Sequence, residues 1–410
     1  VVWIISNSPG EIYTWVHSIV EQIKSFSRQI RVVLLLVPCP FASGDEERVA
    51  QNRDLFDLVI PAREFFPFLF STRRFYSKGG VVVFLGGDYW HPLLVAKKVR
   101  LPLIGYATKS SYWLKFFNYI MVPDKATGEL LISSGIPKEK LEVIGNLLLS
   151  AIKFKYTSCY EFLKYFSVSY DNPKVGLIPG SRRTILVHSL PYLLAVAEKI
   201  NSMQPEAEFF IPLSPLLKVE DLLKVFSVSN LERKTEWVDA KLYVDKKEGQ
   251  FLLTPNNIKV RLFTEARYDV LQAMDLILTI PGTITAEAGA LGVPMIVFYS
   301  LKITKDLPIG GLAGVLGRTP LLGNLLKSAV IFWKSKKKKF VSHPNIIAKK
   351  QIVPEIKVNY LAEELANPAV ELLCHPERRE KISLRLKRLF PLNNASQILA
   401  NKILSIVNNA

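Results

Sequence analysis

The sequence predicts an α/β protein built from two parallel-sheet domains. Three stretches carry that prediction, each reading as apolar strand, glycine turn and amphipathic helix: Val1–Phe26, Val175–Asn201 and Leu276–Tyr299. In the last of these, Leu276, Ile277, Leu278 and Ile280 are apolar and β-prone, as a buried parallel strand requires. Pro281-Gly282 stops the strand, and Thr283 is the expected N-cap of a helix Ile284–Leu291 that closes at Gly292 in the C′ position. Pro294 ends that turn, and Met295–Tyr299 is a second strand. A helix N-terminus behind a glycine turn at a strand's carboxyl end favours anions, because free N–H groups and the macrodipole point the same way. Glu287 sits one turn inside the helix, where its carboxylate can accept the vicinal hydroxyls of a ribose. The plainer alternative is an ordinary crossover with a solvated first-turn acid.

The chain has 410 residues, too many for one ordinary core and enough for two α/β domains. A net charge of +17 favours an anionic partner: a nucleotide, a phospholipid surface or nucleic acid. Cys39, Cys159 and Cys374 are far apart and match no CxxC spacing, so they argue for a reducing compartment and against a disulfide framework or a zinc site. The five histidines form no HExxH pair, and no cleavable signal-peptide pattern is present. The chain opens on a strand without Met, which leaves room for a preceding segment.

Taken in order, strand Val1–Ile5 ends in Ser6-Asn7-Ser8-Pro9-Gly10-Glu11, which feeds a helix Ile12–Phe26 with its apolar stripe at Ile12, Val16, Ile19, Val20 and Ile23. Glu11, at the helix entrance, either complements the dipole or points into a cleft. Strands Ile30–Val37 and Leu58–Ile60 follow. Phe65–Phe70, broken by Pro67 and flanked by Arg73 and Arg74, reads as a core segment or as a greasy lip for a lipid chain. Strand Val81–Leu85 is followed by Gly86-Gly87-Asp88, which puts Asp88 where α/β enzymes keep catalytic acids and bases, with His91 just beyond. Further strands at 103–105, 119–122 and 141–144, with a helix Lys125–Ser134, complete the first domain.

Residues 150–173 read as the connection between domains. Val175–Ile178 opens the second sheet, and Pro179-Gly180-Ser181-Arg182-Arg183 repeats the strand–turn–helix logic with two guanidiniums suited to bidentate phosphate contacts. Leu242–Thr254 reads as a hairpin insertion. Leu307–Trp333 is apolar but interrupted by Arg318, Asn324 and Lys327, too broken for a span of ~20 apolar residues. The lysine run up to Lys339 follows it directly, as in an interfacial anchor where each surface Lys contributes about 1 kcal/mol on anionic lipid. A loop with a solvated charge run is the alternative. Basic helices close the chain.

This pattern fits a glycosyltransferase of the GT-B type, with two Rossmann-like parallel-sheet domains facing a central cleft. In detail it resembles the lipid-A-disaccharide synthase family. Leu177-Ile178-Pro179-Gly180-Ser181-Arg182 is similar to that family's L-L-P-G-S-R, and Gly282–Ala288 with Val293–Tyr299 is similar to its S-G-T-A-x-L-E and P-M-V-V-x-Y. Val341–Ala348 resembles V-S-L-P-N-L-L-A, Val143–Asn146 resembles F-I-G-H, and Gly86-Gly87-Asp88 resembles the start of G-I-D-x-P-D. The departures fall mostly on the first domain. Ile12–Trp15 replace the end of G-E-x-S-G-D, His91 stands at the second acid of G-I-D-x-P-D, and Pro281 replaces a serine.

The resemblance implies domains 1–165 for the acceptor and 170–380 for a UDP-sugar donor, with a C-terminal helix at about 385–410 packing back on the first. It implies that Gly180, Ser181, Arg182, Gly282 and Thr283 face the diphosphate, that Glu287 faces the ribose, and that Asn345 completes the donor site. Asp88 is then the general base for an inverting transfer of an acylated glucosamine to a lipid-linked sugar, with Glu11 beside it and His91 as an alternative base. No Asp-x-Asp metal signature is present, so no metal and no cofactor are expected. The expected partners are the UDP-sugar, a glycolipid acceptor and an anionic membrane surface met through Phe65–Phe70 and Leu307–Lys339, with the protein cytoplasmic on the inner face of the cell membrane. Nucleic acid is not expected, because the lysine run adjoins apolar rather than base-stacking sequence. Two alternatives stay open: a related transferase with another glycolipid acceptor, and a non-catalytic nucleotide- or lipid-binding protein on the same scaffold.

Overall fold

The computed structural model describes residues 1–38, 46–51, 54–71, 79–227, 236–245, 249–300 and 339–408. They form two compact units, Val1–Ala151 with Leu392–Ala410, and Ile152–Pro391.

The first unit is a parallel sheet. Its strands are β1 Val2–Ser6, β2 Val32–Leu36, β3 Leu58–Ile60, β4 Val81–Phe84, β5 Leu103–Tyr106, β6 Tyr119–Val122 and β7 Leu141–Val143, in the order β3-β2-β1-β4-β5-β6-β7. The inner strands β1, β2, β4 and β5 are buried throughout, which is why they read as unbroken apolar runs rather than as alternation. The chain runs outward from β1 to β2 and β3, then returns to lay β4 on the other side of β1. That reversal opens a crevice at the carboxyl ends of β1 and β4. Helix Ala395–Asn408 returns to this unit and packs on helix His17–Phe26 through Leu399, Ala400 and Ile403. It is held by a 2.6 Å hydrogen bond between the Ser150 and Ser396 hydroxyls and by the Lys402 ammonium 4.2 Å from the Tyr119 ring centroid. The preceding helix, Pro376–Leu389, belongs to the second unit, and Pro391 separates the two.

The second sheet is mixed. Its strands are β8 Lys174–Ile178, β9 Glu208–Pro212, β10 Lys241–Asp245, β11 Gly249–Leu253, β12 Lys259–Phe263, β13 Leu276–Thr279, β14 Met295–Tyr299 and β15 Glu355–Lys357, in the order β10-β11-β12-β9-β8-β13-β14-β15. β10 and β11 form the expected hairpin, which extends the sheet antiparallel beyond β12. The remaining pairings are parallel. The core gathers under the long helix Arg183–Met203, where the fully buried Tyr192 meets the rings of Phe298 and Tyr360 and donates to the Leu361 carbonyl at 3.1 Å.

Residues 152–173 are not a free connection. The Asp269 carboxylate accepts the Lys155 and Tyr156 amides, and Tyr156, Phe162 and Phe166 form an aromatic cluster that includes Phe263 of β12. Enough apolar surface sits in that tyrosine-rich stretch to dock it on the second unit. The Leu307–Trp333 segment and the lysine run up to Lys338 lie outside the described residues.

Helix Ile284–Leu291 is covered by helix Pro376–Leu389 and by Phe390, which is 2% exposed. The approach is close at Gly289, where a Cβ would lie 2.6 Å from Phe390 Cδ2. Gly289→Val should therefore destabilise the second unit by about 1–3 kcal/mol through overpacking. Denaturant unfolding measures this directly. An unchanged midpoint would mean that the ring moves aside without loss.

Candidate active site

In the second unit the chain leaves β8 toward β9 and later returns to place β13 on β8's other side, with Thr279 level with Ile178. The turns after β8 and β13 are therefore neighbours, at the position where doubly wound sheets bind ligands. Gly180 adopts φ +96° in the first turn, a conformation glycine holds without strain. Arg182 then leads into helix Arg183–Met203. Arg183 is committed to the buried Asp221 at 3.1 Å, whereas Arg182 is exposed and makes no ion pair among the described residues.

In the second turn Thr283 occupies the N-cap position, but with helical dihedrals and no side-chain cap bond. The turn is closed instead by Thr285, whose hydroxyl and amide both donate to the Gly282 carbonyl, at 2.8 and 3.1 Å. A Cβ at Gly282 would meet nothing within 4 Å among the described residues. Gly292 ends the helix in the left-handed region, as the sequence implies.

Glu287 is not a solvated acid. It is 2% exposed, its Oε2 lies 2.9 Å from Arg267 Nη1, and it accepts the Tyr268 hydroxyl at 3.1 Å. Asn345 departs from its expected role at the donor. It is fully buried, its Nδ2 donates to the Val353 carbonyl and to Glu355, and its Oδ1 accepts the Ile352 and Val353 amides. Both donor hydrogens and both acceptor positions are thus satisfied inside the protein, which makes Asn345 a clamp for its loop. Glu355 completes the clamp by accepting the Val341 and Ser342 amides and the Ser342 hydroxyl. The clamped loop carries His343 against the Gly282 turn, with Nδ1 3.1 Å from both the Gly282 carbonyl and the Thr285 hydroxyl. Burial lowers the His343 pKa. Neither His343 nor Arg267 stands out in the sequence as a site residue. The one signal for His343 is an imidazole where the resembling motif has leucine.

In the first unit, the crevice between β1 and β4 is bordered by the turns that carry Glu11 and Asp88. Ser8 caps the turn Pro9–Glu11, which runs on through a π-helical turn Ile12–Val16 into helix His17–Phe26. Such widened turns recur at functional sites. The Glu11 side chain folds inward against Gly86, where a Cβ would lie 2.2 Å from Glu11 Oε2. That oxygen and the Ser6 hydroxyl are buried without a hydrogen-bond partner among the described residues. Burial pushes the Glu11 carboxyl up to about 7, against the pull of a Ser8 hydrogen bond and the Lys109 charge. Asp88 is exposed at the end of the Gly86-Gly87 turn.

His91 is 3% exposed, stacked at 3.9 Å on Trp90 and edge-on to Phe65, and its Nδ1 faces the Asp88 carbonyl at 3.2 Å. Burial lowers its pKa. That seat suits a support for the Asp88 turn better than a base that must reach a substrate hydroxyl.

The Glu11 shift fixes a sign. A carboxyl raised from 4.5 to about 7 favours the neutral form in the folded state, so stability is full below pH 4.5 and is lost as pH rises through 7. Glu11→Gln should gain roughly 3 kcal/mol relative to wild type between pH 4.5 and pH 8. Urea titrations at the two pH values read the difference, and the histidine contributions cancel between the two proteins. A pH-independent difference would mean an ordinary, ionised carboxylate.

No family model matches the chain. The lipid-A-disaccharide synthase of Nitrosococcus oceani is 27% identical over 248 residues, which are 60% of this chain and 50% of that one. That of Geobacter metallireducens is 26% identical over 230 residues, 56% of this chain and 47% of its own. The chain therefore spans about half the length of these relatives. Three of the solved structures that share the fold illustrate it. The Staphylococcus aureus MnaA–UDP complex has a TM-score of 0.55 at 12% identity, covering 100% of this chain and 97% of that one. The Neisseria meningitidis UDP-GlcNAc 2-epimerase bound to UDP-GlcNAc has a TM-score of 0.52 at 14% identity, covering 99% and 100%. Acinetobacter baumannii MurG has a TM-score of 0.51 at 12% identity, covering 98% and 99%. The chain thus has two Rossmann-like sheets of the GT-B type and, over a little more than half of its length, is similar in sequence to lipid-A-disaccharide synthases.

Proposed function

We propose that the protein is a UDP-sugar-dependent glycosyltransferase that moves an acylated glucosamine onto a lipid-linked sugar with inversion. The observation that carries the reading is the pair of neighbouring turns at the β8–β13 reversal, where, among the described residues, Arg182 makes no ion pair and no atom lies within 4 Å of a Cβ at Gly282. Its sequence support is the likeness to lipid-A-disaccharide synthases.

In this mechanism the donor diphosphate accepts N–H groups from the turns after β8 and β13 and the Arg182 guanidinium. Arg267 holds Glu287 by Oε2, which leaves Oε1 for a ribose hydroxyl. Asp88 takes the proton of the acceptor hydroxyl as its oxygen forms a bond to the anomeric carbon. The bond from that carbon to the diphosphate oxygen breaks on the opposite face, and the electron pair leaves with UDP. Glu11, whose carboxyl is raised to about 7, donates a hydrogen bond to an acceptor-sugar oxygen in its protonated form. The leaving charge is met by fixed dipoles and Arg182.

Arg182 is a cleaner probe of the donor site than Glu287, whose removal would deprive Arg267 of a buried carboxylate. Calorimetric titration should show UDP binding to wild type and binding weakened about 10- to 100-fold in Arg182→Ala, as expected for a charge-assisted contact. Asp88→Asn should bind UDP normally and lose transfer by at least ~10²-fold. No UDP binding to wild type would overturn the donor reading, and unchanged turnover in Asp88→Asn would remove Asp88 from the mechanism.

The proposal places the enzyme at an anionic membrane surface. Phe65 and Phe68 are core residues, Phe68 lying 5.4 Å from the Trp3 ring, while Phe66 is 47% and Phe70 82% exposed. Phe66→Ser/Phe70→Ser should therefore reduce co-sedimentation with anionic vesicles without unfolding the protein. Equal binding by the double variant would sink the Phe65–Phe70 contact.

A related transferase with a different glycolipid acceptor is favoured by one feature. Where the family motif reads x-S-G-D, this chain has the π-helical turn with Trp15 edge-on to Tyr106 at 5.3 Å, which adds aromatic bulk on the acceptor unit.

A further inference from the structure

The Gly282 carbonyl can only accept a hydrogen bond, so a His343 Nδ1 at 3.1 Å from it carries the hydrogen. The Thr285 hydroxyl already donates to the same carbonyl, and it receives the His343 amide at 3.2 Å. The imidazole is therefore tied to the turn by its Nδ1–H, and Nε2 is the atom left to titrate. Burial keeps the free imidazole neutral at neutral pH. The surrounding charges are largely committed. Glu287 is paired with Arg267 and Tyr268, and Glu355 is taken by Val341, Ser342 and Asn345. Helix Pro376–Leu389, packed on both helices that flank the histidine, carries Glu377 and Glu380 beside a larger number of basic residues, of which Arg378 pairs with Glu371 and Arg379 faces Asp275. Among the described residues, burial outweighs the Gly282 hydrogen bond and the Glu287 charge, which both pull the imidazole toward its charged form.

Resting on the reading that a UDP-sugar diphosphate occupies the Gly282 turn, we propose that His343 is a donor-binding residue that takes up a proton when the diphosphate arrives. Two anionic phosphates beside the imidazole favour its charged form, and the protonated ring returns a second positive charge to complement Arg182. Affinity for the donor then depends on pH through this one residue. A leucine at this position, as in the motif the loop resembles, would have no such link.

The test is calorimetric binding of UDP-N-acetylglucosamine, whose diphosphate is a diester and does not itself titrate near neutrality. Titrations at pH 6, 7 and 8 in two buffers of different ionisation enthalpy count the protons taken up. Wild type should take up a fraction of a proton, and its affinity should fall with rising pH by at most roughly tenfold per pH unit. His343→Leu should bind with no uptake and a flat pH profile. His343→Gln, which can still donate to Gly282, should do the same and guards against a packing defect in the leucine variant. A purely structural strut would leave the pH profile unchanged, so variants that keep the wild-type profile, or a wild type without proton uptake, overturn the role of His343. Absence of binding to wild type at every pH instead overturns the donor reading on which this inference rests.

Discussion

The parallel pairing of β8 with β13 is the constraint on which the second unit's chemistry depends. A parallel ladder cannot be closed by a short turn, so the chain must cross a sheet face between strands. When it crosses one way from β8 and later returns on the other side, two turns end side by side with no crossover covering them. The same reversal around β1 and β4 sets the Glu11 and Asp88 turns next to each other in the first unit. In both units the candidate site residues lie where the winding changes direction. The apolar strands beneath are rigid because both their faces are buried.

Much of this was legible in the residues. Unbroken runs such as Val81–Phe84 and Leu276–Thr279 announce doubly covered strands, and Gly180, Gly282 and Gly292 mark the turns that the structure contains. The sequence was less informative wherever a residue's role depends on a partner far along the chain. Glu287 reads as a ribose acceptor or a solvated first-turn acid, and nothing local shows that it is buried and paired with Arg267, twenty positions earlier. Asn345 reads as a ligand contact, and its amide is satisfied by Val353 and Glu355. His91 aligns with an acid and lies instead between Trp90 and Phe65. Hydrophobic period and turn chemistry are local properties of the chain, whereas satisfaction of a buried polar group is not. Residues 152–173 show the same limit, since a polar, tyrosine-rich stretch docks only because Asp269 and Phe263 await it.

The two units handle buried charge differently. Glu287 is buried against the Arg267 guanidinium at 2.9 Å, and the pair holds a helix near its start. Glu11 has no such partner and is driven toward neutrality by its surroundings. One carboxylate is thus fixed as an anchor, and the other sits near its midpoint at neutral pH, where a proton is most easily given or withheld. Gly86 makes the second arrangement possible, because any side chain there would occupy the space of the carboxyl.

The return of Leu392–Ala410 to the first unit also bears on how the molecule is born. During synthesis the ribosome releases the first sheet long before the helix that covers helix His17–Phe26. The apolar seat filled by Leu399, Ala400 and Ile403 stays open while the whole of Ile152–Pro391 is made. The first unit can therefore collapse early but can be completed only late, after its neighbour has had time to fold. Through that interval a greasy strip on a nascent chain is exposed to chaperones, and the first unit closes only after the whole stretch between its two parts has been made.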